Sequence, residues 1–111
     1  MDVTFASTKL QKTINSEKKL RGEYGHPMAE KIMARMLDLE SADTLELMRL
    51  LPGKCHELRS DLAGHLAVDL VQPNRLVFRP NHDPEPGNES GTLIWNRVTK
   101  IIIVAIGNYH N

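Results

Sequence analysis

The sequence predicts an α+β domain in which an N-terminal strand and two helices pack on an antiparallel β-sheet meander. Three observations carry this. Met28, Ile32, Met36 and Leu39 recur at helical spacing, and Met33 and Leu37 widen the stripe. Beyond Pro52-Gly53 the apolar pattern changes to short strands separated by turn residues. Finally, Ile101-Ile102-Ile103-Val104-Ala105-Ile106 is a β-branched apolar run of the kind that fills a central strand buried on both faces. A chain of 111 residues suits one domain, 1–111, with a single core.

Taken in order, Val3 to Phe5 open with a short strand. Ser7 or Thr8 offers an N-cap for a helix through about Leu20, with Leu10 and Ile14 on one face. The glycines of Arg21-Gly22-Glu23-Tyr24-Gly25 stop it. Pro27 suits the first turn of the second helix, whose methionine stripe is core and which ends near residues 41–43. Residues 45–51 form a short helical turn before Pro52-Gly53 breaks it. Cys55-His56-Glu57-Leu58 and residues 65–70 read as strands joined by the turn 60–64. Gln72-Pro73-Asn74 turns the chain into a third strand, Arg75-Leu76-Val77-Phe78-Arg79, closed by Pro80. Residues 81–91 are an exposed loop rich in Pro, Asn, Glu and Gly, and strand resumes over residues 95–106.

Fourteen basic and 14 acidic side chains leave no net charge, which argues against a large non-specific nucleic-acid footprint and leaves a local basic patch open. No apolar run approaches the roughly 18 residues of a membrane span, so no membrane partner is expected. The N-terminal residues lack a basic region followed by an apolar one, so secretion is not expected. A lone cysteine, Cys55, fits a reducing cytoplasm. Its neighbours Lys54 and His56 would lower a thiol pKa, against the plainer reading of a small apolar filler. The five histidines follow no metal-ligand spacing, and neither metal nor cofactor is expected.

The candidate chemistry lies at two places. After the isoleucine run come Asn108, Tyr109 and His110, which a well-anchored strand would place rather than leave trailing; the alternative is a frayed polar tail. Imidazole titrates near neutrality, so His110 suits proton transfer, and Tyr109 suits stacking on a base or sitting in water at a sheet edge. At the start of the meander, alternation puts Lys54, His56 and Leu58 on one strand face, opposite Cys55 and Glu57. Lys54 and His56 then form either a basic pair or an ordinary solvated face. Arg59 opens the following turn, where it can clamp a phosphate, and Arg75 and Arg79 flank an apolar strand. His65 and His82 read as surface histidines.

Leu51-Pro52-Gly53, then Glu57-Leu58-Arg59-Ser60-Asp61-Leu62, Ala67-Val68-Asp69-Leu70, Asn74-Arg75-Leu76-Val77-Phe78-Arg79 and Gly107-Asn108-Tyr109-His110, in that order, resemble the HigB-type killer toxins of the RelE/ParE superfamily. The likeness spans residues 51–110. It implies a compact toxin that enters the ribosomal A site and cleaves mRNA without a metal, the RNA's own 2′-hydroxyl being the nucleophile. It also implies a cognate antitoxin, with operator DNA contacted only through the toxin–antitoxin complex. His110, Tyr109, His56 and Lys54 are then the catalytic candidates, and Arg59, Arg75, Arg79 and Asn108 the RNA-binding ones; Arg75 is the favoured arginine because the family uses the one after the asparagine. Asn108 stands where the family often has an aspartate, and an amide cannot take a proton. The loop 81–92 is also longer than in compact members. A second reading is a non-catalytic binding protein on the same scaffold, acting through antitoxin or gyrase contact. Asn108 and the neutral charge favour it; His56 and the Tyr-His end favour the enzyme.

Overall fold

The helical half of the chain holds three helices, not two, because a second serine cap interrupts the first. In the computed structural model, which describes residues 1–109, α1 spans Thr8–Ile14 and α2 spans Glu17–Tyr24. Ser7 Oγ accepts the Leu10 N–H at 3.1 Å and Ser16 Oγ accepts the Lys19 N–H at 3.2 Å, so each serine satisfies an otherwise orphaned donor. Gly22 therefore lies inside α2, and the stop comes at Gly25. Helix α3, His26–Ser41, carries Pro27 in its first turn and buries Met28, Ile32, Met36 and Leu39.

Five strands take the order β1-β5-β4-β3-β2. β1 is Asp2–Phe5, β2 His56–Glu57, β3 Leu66–Asp69, β4 Arg75–Pro80 and β5 Lys100–Gly107. The meander β2 to β5 is antiparallel, as expected from its short turns. β1 departs from the expected antiparallel sheet: it joins β5 in parallel, Asp2 opposite Lys100 and Phe5 opposite Ile103, after the helices carry the chain across. Two expected strands shrink. Only His56 and Glu57 of the 55–58 segment pair with β3, and Trp95–Arg97 is a 3-10 turn that precedes β5.

The α+β architecture is thus the expected class, and its core lies between the helices and one sheet face. Leu66, Val68, Leu76, Phe78, Ile101 and Ile103 are buried there against Leu20, Ile32 and Leu39. The other face is covered thinly, by Leu58, Ala67 and Val77 with Leu62, Val104, Ala105 and Tyr109. β5 is accordingly central but not buried on both faces, since Ile102 and Val104 stay partly exposed. A bulge, in which Val77 faces Ala105 and Phe78 faces Ile103, leaves Val104 as the extra residue on β5.

Two glycines set the path of the chain at the start of β2 and the end of β5. Gly53, at φ +107°, sits so near Arg35 of α3 that a Cβ would lie 2.8 Å from Nε. Arg35 Nε donates to the Asp69 carbonyl at 3.1 Å, and the Asp69 N–H donates to the Gly53 carbonyl at 2.7 Å. The entry into β2 is thereby tied to both α3 and β3. At Gly107 the ring of Tyr109 folds back so closely that a Cβ would lie 2.9 Å from its Cε2.

Candidate functional site

At the β2 edge of the sheet the surface opens into a cleft of about 670 Å³. Arg49, Arg59 and Arg75, from three separate segments, line it together with His56 and Glu57. Cys55, Leu58 and Trp95 complete the walls. In a chain of zero net charge this is a local cationic surface, the one basic feature the composition left open.

Arg75 stands directly across the β3–β4 ladder from Asp69. Its Nε lies 3.4 Å from Asp69 Oδ1, an ion-pair distance at which neither atom makes a hydrogen bond. Its Nη1 donates to the Tyr109 carbonyl at 3.1 Å, so the arginine is anchored to β3 and to the segment after β5. Arg59 enters the cleft from the residue preceding the 3-10 turn Ser60–Leu62.

His56 Nδ1 lies 2.7 Å from the Lys54 carbonyl. A carbonyl only accepts, so Nδ1 carries the proton and Nε2 of the neutral ring keeps the lone pair that takes up another. This contact also explains why Lys54 does not share the His56 face. Lys54 adopts φ +49°, which ends the strand alternation and turns its carbonyl, not its ammonium group, toward the histidine. Its side chain is exposed and outside the cleft lining.

The remaining predicted residues spread outward. Arg79 is exposed on the Arg75 face of β4, four residues or roughly 13 Å further along, and does not line the cleft. Asn108 is exposed just past β5. Tyr109 packs its ring on the thin second cluster, and its carbonyl, not its phenol, meets Arg75. Burial raises the pKa of the Tyr24 phenol, and the charges of Glu23 and of the neighbouring Tyr109 raise it further. His110 lies outside the described residues. His65 Nδ1 donates to the Leu62 carbonyl at 3.2 Å, and His82 Nε2 accepts the N–H groups of Thr99 and Lys100 at 3.1 and 3.2 Å, so both pin loops. Among the described residues no group of three or more His, Cys, Asp or Glu could hold a metal ion, and no helix is long and apolar enough to cross a membrane.

Cys55 is not an activated thiol. Burial pushes its pKa up to about 12, against a smaller opposing pull from Arg49. The basic neighbours that would lower it are engaged elsewhere, Lys54 turned outward and His56 bonded to a carbonyl.

Among the polar and aromatic cleft residues, Arg49, Glu57 and Trp95 were not singled out by sequence as members of the site. The Arg49 guanidinium lies 3.7 Å from the centroid of the Trp95 ring, and its Nε donates to Glu46 Oε2 at 3.0 Å. Trp95 Nε1 donates to Glu57 Oε2 at 3.1 Å. Residues Leu45–Leu50 form a 3-10 turn, and a backbone bond from the Leu45 N–H to the Val98 carbonyl, 3.0 Å, brings it against the Trp95–Arg97 turn and with it Arg49 against Trp95. The only available sequence signal was a sole tryptophan at the end of a long loop.

No protein-family model matches the chain, and no curated protein is significantly similar to it in sequence. Solved structures are similar in fold. A YoeB/ParE toxin from Agrobacterium tumefaciens superposes with a TM-score of 0.60 at 13% identity, covering 99% of this chain and 100% of that one. A chain of a YoeB-YefM complex from Staphylococcus aureus gives 0.57 at 20% identity, over 100% and 98%. A YoeB dimer from the same organism gives 0.56 at 19%, again over 100% and 98%. The RelE/ParE-like fold expected from the motifs is the fold of this chain.

Proposed function

We propose that this chain is the toxin of a type II toxin–antitoxin pair, a HigB-type endoribonuclease of the RelE/ParE superfamily that cleaves mRNA on the ribosome. The observation that carries the proposal is the juxtaposition of His56, with Nε2 available to take a proton, and three arginines in one cleft. His56 Nε2 withdraws the proton of the RNA 2′-hydroxyl, whose oxygen attacks the adjacent phosphorus. The bond to the 5′-oxygen breaks, leaving a 2′,3′-cyclic phosphate and a 5′-hydroxyl. Arg59 and Arg75 stabilise the charge that builds on the phosphoryl oxygens. His110 supplies the proton to the leaving 5′-oxygen. Tyr109, itself held by its ring against Gly107 and its carbonyl on Arg75, stacks on a base or positions the phosphate. Lys54, Arg79 and Asn108, all exposed, meet the RNA beyond the scissile phosphate.

The similarity to a chain of a YoeB-YefM complex supports a cognate antitoxin for this chain too; operator DNA is then reached only through the toxin–antitoxin complex. The test is primer extension on a reporter mRNA in a translating extract. New 5′ ends inside the reading frame are expected, absent without ribosomes and lost in His56→Ala, Arg75→Ala and His110→Ala. Folded protein that yields no new ends would shift the assignment to the non-catalytic antitoxin- or gyrase-binding reading.

A further inference from the structure

The Arg49–Trp95–Glu57 assembly has no part in the proton transfers above, yet it is built as carefully as they are. Trp95 is 5% exposed and its indole plane is fixed by the hydrogen bond to Glu57. The Arg49 Cζ lies 3.7 Å over the centroid of that ring, too close for an edge-on approach, and Glu46 holds the Nε edge of its guanidinium. The side chain is nonetheless 51% exposed and lines the cleft. One face of the guanidinium is therefore covered by indole, one edge is occupied by a carboxylate, and the arginine is oriented before any ligand arrives.

We infer that the outer face of the Arg49 guanidinium, stacked on Trp95, is a platform for one unpaired nucleobase of the RNA in the cleft. The inference rests on the proposed nuclease function and adds a base-binding subsite to it. A phosphate approaches a guanidinium in its plane, through the N–H edges. At Arg49 the Nε edge already carries Glu46, whose negative charge repels a phosphate. The π face has no such obstacle, and guanidinium planes stack on bases whatever their identity. Arg59 and Arg75 are the phosphate ligands of the proposed nuclease, and Arg49, 51% exposed beside them, offers the cleft its uncovered face.

The chain contains a single tryptophan, so its indole N–H gives one resonance that reports directly on this subsite. The experiment titrates isotopically labelled protein with a short single-stranded RNA and with the same backbone lacking its bases. The RNA is expected to shift the Arg49 Nε–H and indole resonances, whereas the abasic strand shifts those of Arg59 and Arg75 and leaves Arg49 in place. The RNA should bind about tenfold more tightly than the abasic strand. Arg49→Ala and Arg49→Lys should lose that preference equally, because lysine keeps the charge without the plane. Equal Arg49 shifts with both strands, or an Arg49→Lys variant with full preference, overturns the platform and leaves the nuclease reading standing. Absence of any shift at Arg59 and Arg75 with either strand removes the RNA-binding cleft itself, and the platform with it.

Discussion

Replacing Arg75 by alanine removes the hydrogen bond to the Tyr109 carbonyl and the positive charge 3.4 Å from Asp69 Oδ1. The two side chains are only 17% and 19% exposed, so the stranded carboxylate is largely withdrawn from water. Stripping one partner from a fully buried ion pair costs about 3–5 kcal/mol. Two features place this pair lower. Solvent reaches its exposed fifth, and neither facing atom makes a hydrogen bond. With about 1 kcal/mol for the lost Tyr109 bond, Arg75→Ala is expected to destabilise the fold by about 2–3 kcal/mol. For a chain of this size that corresponds to a fall in Tm of about 10 °C or more, read by thermal melts and urea titration. The double variant Asp69→Asn/Arg75→Ala removes the orphaned charge and should recover about 1 kcal/mol of the loss. A single variant within about 0.5 kcal/mol of wild type, or strictly additive losses in the double variant, would refute the coupling.

Further outcomes are expected at four residues. His56→Ala should lower the mRNA cleavage rate by about 10²–10⁴ while leaving Tm near wild type, as for loss of a general base. Cys55, raised from 9.0 to about 12, should react with a maleimide at pH 8 about a thousandfold more slowly in the native protein than in urea. Because the folded pKa is the higher one, the stability this thiol contributes is intact below pH 9 and is lost as pH climbs toward about 12, so Cys55→Ala should lose less stability than wild type over that window. Gly53→Ala forces a φ of +107° on a side chain whose Cβ meets Arg35 Nε at 2.8 Å, and should cost about 2–3 kcal/mol. Gly22→Ala, in α2 with nothing within 4 Å, should instead stabilise by about 0.5–1 kcal/mol; calorimetry separates the two.

Much of the fold was legible because its signals are local. The methionine stripe of α3, the Pro52-Gly53 break and the isoleucine run of β5 each declare themselves within a few residues. The α1–α2 division was not legible: Leu10 and Ile14 read as one face of a single helix running to about Leu20, and only the competing Ser16 cap shows that two short helices fill that stretch. His56, Arg59 and Arg75 were also readable as a group, since antiparallel strands linked by short turns keep near neighbours in sequence near in space.

Residue spacing, then, settles element type, the turns, and the meander that carries the three arginine and histidine candidates. Long-range packing decided the parallel seating of β1 on β5, since pairing positions 2–5 with 100–103 leaves no local trace in the chain. Packing also turned Lys54 out of the cleft through a positive φ, and it stacked Arg49 on Trp95 through a backbone bond between two distant 3-10 turns. It also decided Cys55 in favour of the plainer reading of a small apolar filler, because burial, which neighbours in sequence cannot report, outweighs the charges beside it in the chain.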